Sequence, residues 1–194
     1  MAGTIIGVFG KQRSGKTLFS YKLVKLLSGM YGIPVYTNIY SPLDDFYYIN
    51  SLRDFPLDLQ PKIFLLDEIY NGTDAQDYKK LKEISIFINT LGKQNCLFVY
   101  TSIEPSMVYN RVRNQTQLAV CVKSNETHIF YKLFNMQTDS ACVYSVPKNE
   151  ALYKNVCYDT NFIPLDFNWD MKNWNDKLKR FYLENYNIDL VDSF

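Results

Sequence analysis

Residues 10 to 17 read GKQRSGKT and follow directly on TIIGVF, residues 4 to 9. Gly10 and Gly15 free the backbone between them to turn its N–H groups toward an anion at a helix N-terminus. In that pattern Lys16 bridges the β and γ oxygens of a triphosphate, and the Thr17 hydroxyl reaches Mg²⁺. The flanks are a strand before the loop and a helix after it, the setting this chemistry requires. A second cluster, IFLLDE at 63 to 68, buries four apolar residues and then presents Asp67 and Glu68. Asp67 suits the water shell of a Mg²⁺ ion, and Glu68 can polarise a water for in-line attack on a γ-phosphate. An adjacent Asp-Glu pair favours ATP hydrolysis over transfer to a small acceptor, whose hydroxyl would replace the water.

The binding set for ATP is therefore Gly10, Lys11, Gln12, Arg13, Ser14, Gly15, Lys16, Thr17 and Leu18, with Thr17 and Asp67 for the metal and Lys16 and Glu68 for catalysis. Lys11 and Arg13 occupy variable loop positions. They are either solvated at the surface or in contact with phosphate, a neighbouring subunit or DNA.

The elements that must position these residues follow from periodicity. Thr4 to Phe9 is a buried strand, and Lys16 to Leu27 a helix with a wide apolar face, closed by Ser28-Gly29. A short strand covers Val35 to Asn38, and residues 42 to 56 form an irregular connection with one helical turn. Lys62 to Ile69 is a buried strand, Asp74 to Leu91 a helix ended by Gly92, and Cys96 to Thr101 a central strand. Beyond Pro105, shorter alternating runs at 117 to 123, 127 to 134 and 141 to 146 predict an antiparallel extension. A helix over 169 to 186 carries Trp174, Leu178, Phe181 and Asn185 on one stripe, expected either to pack back onto the sheet or to dock a neighbouring subunit or a capsid.

A chain of 194 residues, 47% hydrophobic and without repeats or a linker, predicts one α/β domain. Its core spans 4 to 164. A net charge of +1 supplies no steering field, so nucleic-acid binding would need a local patch or a ring of subunits. The four cysteines form no CxxC pair and are expected as buried, reduced thiols, and His128 as a cross-strand side chain. No apolar run is long enough to span a bilayer and no signal-peptide pattern follows Met1. The protein is expected to stay inside the cell that makes it.

GKQRSGKT, PVYTN at 34 to 38, IFLLDE and FVYTSIEPSMVYNRVR at 98 to 113 together resemble the FtsK-HerA superfamily of P-loop ATPases. These belong to the additional-strand, catalytic-glutamate branch. The likeness is greatest to genome-packaging ATPases of archaeal and other membrane-containing DNA viruses, and PVYTN is similar to phage assembly ATPases of the zonula-occludens-toxin type. ALYKNVCYDTNFIP at 151 to 164 is similar to a YDT segment in the same proteins.

The resemblance implies a RecA-like fold, with a mostly parallel sheet, helices on both faces and an antiparallel C-terminal extension. It places the 96–101 strand between the phosphate-loop strand and the acid strand. A polar sensor, usually glutamine, stands at the end of that strand; aligning Pro105 puts Ile103 there, which leaves Thr101, Ser102 or Glu104, with Ser102 favoured. Arg111 or Arg113 would reach a neighbour's ATP as an arginine finger, or both belong to an exposed basic turn. Implied partners are double-stranded DNA, further copies in a homo-oligomeric ring, and a viral capsid or its internal membrane vertex. The location implied is the cytoplasm of an infected host cell, or the virion. Lys11, Arg13, Lys79, Lys80, Lys82, Lys93, Arg111 and Arg113 are the cations available to line a DNA channel.

Three other classes compete. Filamentous-phage-type extrusion normally brings a membrane anchor. A ParA-MinD-type dimeric switch would explain Lys11, but its loop continues with Gly-Gly where Gln12-Arg13 stand here. A thymidine-kinase-like enzyme fits the length and the Asp-Glu strand, but not the cysteine spacing.

Overall fold

The computed structural model describes the backbone of residues 3–69, 78–154, 156–159, 162 and 165–190, and their side chains except at 78–83. Ile5, Ile6, Val8 and Phe9 are buried along β1 (Ile5–Phe9), as β-branched and apolar residues are in a strand covered on both faces. The other strands are β2 (Val35–Thr37), β3 (Phe46–Tyr48), β4 (Lys62–Leu66), β5 (Cys96–Ser102), β6 (Leu118–Ser124), β7 (His128–Asn135) and β8 (Ser140–Pro147). They form one sheet in the order β3-β2-β4-β5-β1-β6-β7-β8. β5 thus lies between the phosphate-loop strand and the acid strand.

The sheet is parallel from β3 through β6 and antiparallel from β6 to β8. The extension expected after Pro105 therefore begins one strand later. β6 pairs parallel with β1, Ile6 opposite Leu118, because a crossover through α3 (Asn110–Asn114) returns the chain to the starting edge of the sheet.

Helices cover both faces. On one lies α1 (Lys16–Tyr31), packed through Leu18, Tyr21 and Val24 onto Val8, Ile63, Leu65, Leu97 and Val99. On the other lie α2 (Tyr78–Leu91), α3 and α5 (Met171–Tyr186), around Phe64, Phe87, Phe98 and Tyr100. α4 (Glu150–Tyr153) is a single turn after β8. Trp174 is fully buried with its ring against Phe55 and Phe87, and Leu178 is buried beside it. The buried stripe ends there: Phe181 is half-buried and Asn185 exposed.

Several boundaries differ from the sequence reading for local reasons. α1 continues past Ser28-Gly29, and Gly32 ends it in the left-handed region at φ 63°, with its N–H donating to the Ser28 carbonyl at 2.8 Å. Within α1, Leu26 points to solvent and Tyr21 takes a core position. A 3-10 turn, Gly92–Gln94, follows α2, and left-handed Asn95 reverses the chain. The 42 to 56 connection holds β3, where Tyr47 stacks on Tyr36. All four cysteines are free, but only Cys96 is buried and Cys142 is exposed. His128 sits opposite Pro147 in the β7–β8 pair. The start of the predicted 74–91 helix lies outside the described residues. Among the described residues no helix is long and apolar enough to cross a membrane.

Candidate functional site

The phosphate loop emerges between β5 and β6. The Gly10 N–H donates to the carbonyls of Ser102 and Ile103, both at 3.2 Å, and a Cβ at Gly10 would stand 2.4 Å from the Val122 carbonyl oxygen. Glycine is needed there because backbone approaches from two strands. Arg13 and Gly15 adopt left-handed conformations, φ 59° and 99°, which fold the loop back onto the start of α1. No side chain caps α1 and no acid stands in its first turn, so its N–H groups and positive dipole end face the loop unopposed. Ser14 Oγ is buried within the loop without a hydrogen-bond partner. A glycine-framed concavity with an uncapped helix end and an orphaned hydroxyl fits a phosphate group.

Lys16 is buried, and its Nζ donates to the Lys11 carbonyl at 3.0 Å, so the ammonium is held across the loop. Burial lowers its pKa, opposed by the nearby carboxylates of Asp67 and Glu68. At the second residue of the helix, Thr17 Oγ1 donates to the Asp67 carboxylate at 3.0 Å. Together the hydroxyl and carboxylate give the hard oxygen donors that Mg²⁺ selects.

Asp67 is gripped from two further strands. Thr101 Oγ1, at the end of β5, donates to Asp67 Oδ1 at 2.6 Å and accepts the Glu68 N–H at 2.9 Å. Asn38, just past β2, pairs with the Asp67 backbone in both directions: its Nδ2 donates to the carbonyl at 2.9 Å and its Oδ1 accepts the N–H at 2.8 Å. Burial raises the Asp67 pKa despite the opposing Thr101 and Thr17 hydrogen bonds.

In a continuing strand Glu68 would face away from Asp67. Instead Glu68 takes φ 54°, the alternation breaks, and both acids line a cavity of about 220 Å³ with Thr17, Ile39 and Tyr158. A non-glycine residue held there stores roughly 1–3 kcal/mol, which the bonds at Thr101 and Asn38 must offset.

A larger cleft of about 420 Å³ adjoins it, lined by Gln12, Arg13, Gly15, Lys16, Thr17, Leu18 and Glu68. The rest of its lining is Ile129, Lys148, Tyr153, Val156 and Tyr158. Burial pushes the Tyr158 phenol up to about 12, with the Asp67 charge adding to the shift, so it stays a protonated hydroxyl.

The loop residues and both acids thus meet in one place, but other expected residues do not join them. Ser102 lies on the opposite face of β5, with its Oγ donating to the Glu104 carbonyl at 3.0 Å. Thr101 is the β5 side chain that touches the acids, because it shares the α1 face with Val99 and Leu97 as Asp67 does with Leu65. Arg111 is exposed on α3, and Arg113 Nη2 donates to Asn110 Oδ1 at 2.7 Å, outside the cleft. Lys93 precedes β5 at the opposite end of the sheet from Lys11 and Arg13, so the candidate channel cations do not form one patch. The side chains of Lys79, Lys80 and Lys82, and Thr160 of the YDT segment, lie outside the described residues. Lys148 lies outside every quoted motif, whereas Asn38 and Tyr153 fall inside PVYTN and ALYKNVCYDTNFIP but were given no role there.

The architecture is that of RecA-like P-loop ATPases. No family model and no curated protein matches the sequence. Among solved structures, the N-terminal domain of zonular occludens toxin from Neisseria meningitidis aligns over 82% of this chain and 100% of its own at 16% identity and a TM-score of 0.56. The DNA-packaging ATPase B204 of Sulfolobus turreted icosahedral virus aligns over 74% and 98% at 8% identity and a TM-score of 0.53. The genome-packaging NTPase B204 of Sulfolobus turreted icosahedral virus 2, in complex with AMPPCP, aligns over 77% and 100% at 9% identity and a TM-score of 0.52.

Two outcomes follow from the grip on Asp67. Its raised pKa means that the folded chain holds the proton more tightly than the unfolded chain, so stability falls as pH rises through the carboxylate range. Asp67→Asn should melt higher than wild type at pH 7 without nucleotide, by about 2–4 °C per kcal/mol relieved, with the gap closing near pH 3. A lower melting point at pH 7 would contradict the burial cost. Thr101→Val should destabilise by about 1–3 kcal/mol and weaken Mg²⁺-dependent nucleotide binding, while Ser102→Ala leaves that binding unchanged. The reverse ranking would restore Ser102 as the sensor.

Proposed function

We propose that this chain is an ATP-hydrolysing motor that moves double-stranded DNA, packaging a viral genome into a preformed capsid. The observation that carries the reading is the Thr17–Asp67 contact, which faces the phosphate loop onto the Asp67-Glu68 turn with β5 interposed between β4 and β1. Lys16 and the loop N–H groups bind the β and γ phosphates and hold the γ-phosphorus in line. Glu68 orients a water and takes its proton as the water oxygen bonds to phosphorus. The bond from phosphorus to the β–γ bridging oxygen breaks, and ADP and phosphate leave. Thr17 and Asp67 would hold Mg²⁺, which when bound neutralises charge on the phosphate oxygens. Thr101 and Asn38 keep both acids in register.

Packaging is supported by the likeness in fold to two B204 packaging enzymes and by the motifs shared with that class. Ring assembly, with Arg111 or Arg113 acting on a neighbour's nucleotide, belongs to the same reading, as does a place in the infected cell's cytoplasm or the virion. The zonular occludens toxin likeness favours a second reading, an assembly ATPase of the filamentous-phage type.

The test is ATPase activity with and without duplex DNA, for wild type and Glu68→Gln, alongside the mass of the assembly. Wild type should hydrolyse ATP faster with DNA, and the gain should fall with salt. Glu68→Gln should bind nucleotide normally while turnover falls about 10²- to 10⁴-fold. Retained turnover would remove Glu68 as base, and activity indifferent to DNA would shift the reading toward the assembly ATPase.

A further inference from the structure

The cleft beside the phosphate loop carries a cation that no loop motif includes. Lys148 lines the same cleft as Arg13 and Lys16, which belong to the loop itself, and Glu68 is the one carboxylate on that cleft among the described residues. Lys148 follows Pro147, the last residue of β8, in a turn tied down on every side. Its own N–H donates to the Thr127 carbonyl at 2.7 Å, and Asn149 Oδ1 accepts the Leu152 N–H at 3.1 Å to start α4. Leu152 is buried against the α1 side of the sheet, and its carbonyl accepts a hydrogen bond from Lys22 of α1.

Lys148 is half-buried, and no ion pair joins it to a carboxylate among the described residues. A lysine stem fixed at its base, unpaired, and aimed into a cleft with two other cations is arranged for a polyanion. A merely solvated lysine needs neither the tied turn nor a place on the cleft wall.

We propose that Lys148 binds the phosphate chain of the nucleotide from the β8–α4 turn, in addition to the phosphate loop and within the same subunit. The inference rests on the nucleotide reading of the cleft. It adds a positioning contact 132 residues beyond Lys16 in sequence, and it makes closure of the cleft depend on the β8–α4 turn. Tyr153, one turn further on, stands on the same wall and offers a ring to the nucleoside end.

Competitive displacement of a fluorescent ATP analogue from the full chain by ATP, ADP and adenosine, with Mg²⁺ present, tests this. Lys148→Met should raise the ATP Kd about 10- to 100-fold, the loss of one charge-assisted hydrogen bond. Adenosine should bind as to wild type, and Lys148→Arg should restore most of the ATP affinity. Thermal melts of each variant establish folding, with Lys148→Gln read in place of Met should Met not fold. Unchanged ATP affinity in a folded variant overturns the proposal, as does an equal loss for ATP and adenosine. Wild type that binds no nucleotide overturns both this inference and the nucleotide reading, whereas normal ATP binding by the Lys148 variants sinks this inference alone.

Discussion

One buried carboxylate organises this fold. Asp67 accepts hydrogen bonds from Thr17 on α1 and Thr101 on β5, and its backbone is clasped by Asn38 beyond β2. Three elements distant in sequence converge because an ionised group taken out of water must find donors nearby or lose its charge. The donors it finds are two hydroxyls and no guanidinium. Among the described residues no cation is hydrogen-bonded to that carboxylate, and Lys16 is turned to a loop carbonyl. An arrangement of this kind is at ease only when a cation and an anion are added together, and a metal–triphosphate complex is such a pair.

The same economy explains the strained backbone. Glu68 cannot line the cleft with Asp67 while the strand alternation holds, so the chain turns through a left-handed residue immediately after β4. Thr101 makes that turn tolerable by accepting the Glu68 N–H, and Ile69 N–H completes it by donating to the Thr101 carbonyl at 3.1 Å. One hydroxyl thus serves both acids, which is why β5 must lie beside β4. The strand order is a requirement of the site as much as of the core.

Much of this was legible in the residues alone. GKQRSGKT and IFLLDE mark the loop and the acid pair because their chemistry depends on short-range spacing, and β1, β4 and β5 announce themselves as apolar runs. The β5 side chain that meets the acids was not, because alignment on Pro105 weighs order in the chain and ignores which face of β5 a side chain takes. Parity along the strand would have chosen Thr101. β3 was hidden because a strand of three aromatic residues is too short to carry a period, and the parallel run of β6 depends on a crossover made by a helix of only five residues. The role of Asn38 was hidden although PVYTN contains it, because it works through the Asp67 backbone, and Lys148 was hidden because it reaches the cleft from more than a hundred residues beyond the loop, which no local pattern encodes.

The most direct measurement is a crystal structure with a non-hydrolysable ATP analogue and Mg²⁺. This account expects the triphosphate on the phosphate loop, the metal between Thr17 and Asp67, and Lys16 Nζ moved from the Lys11 carbonyl onto phosphate oxygens. An analogue bound elsewhere, or a loop left empty with the Thr17–Asp67 hydrogen bond intact, would contradict it.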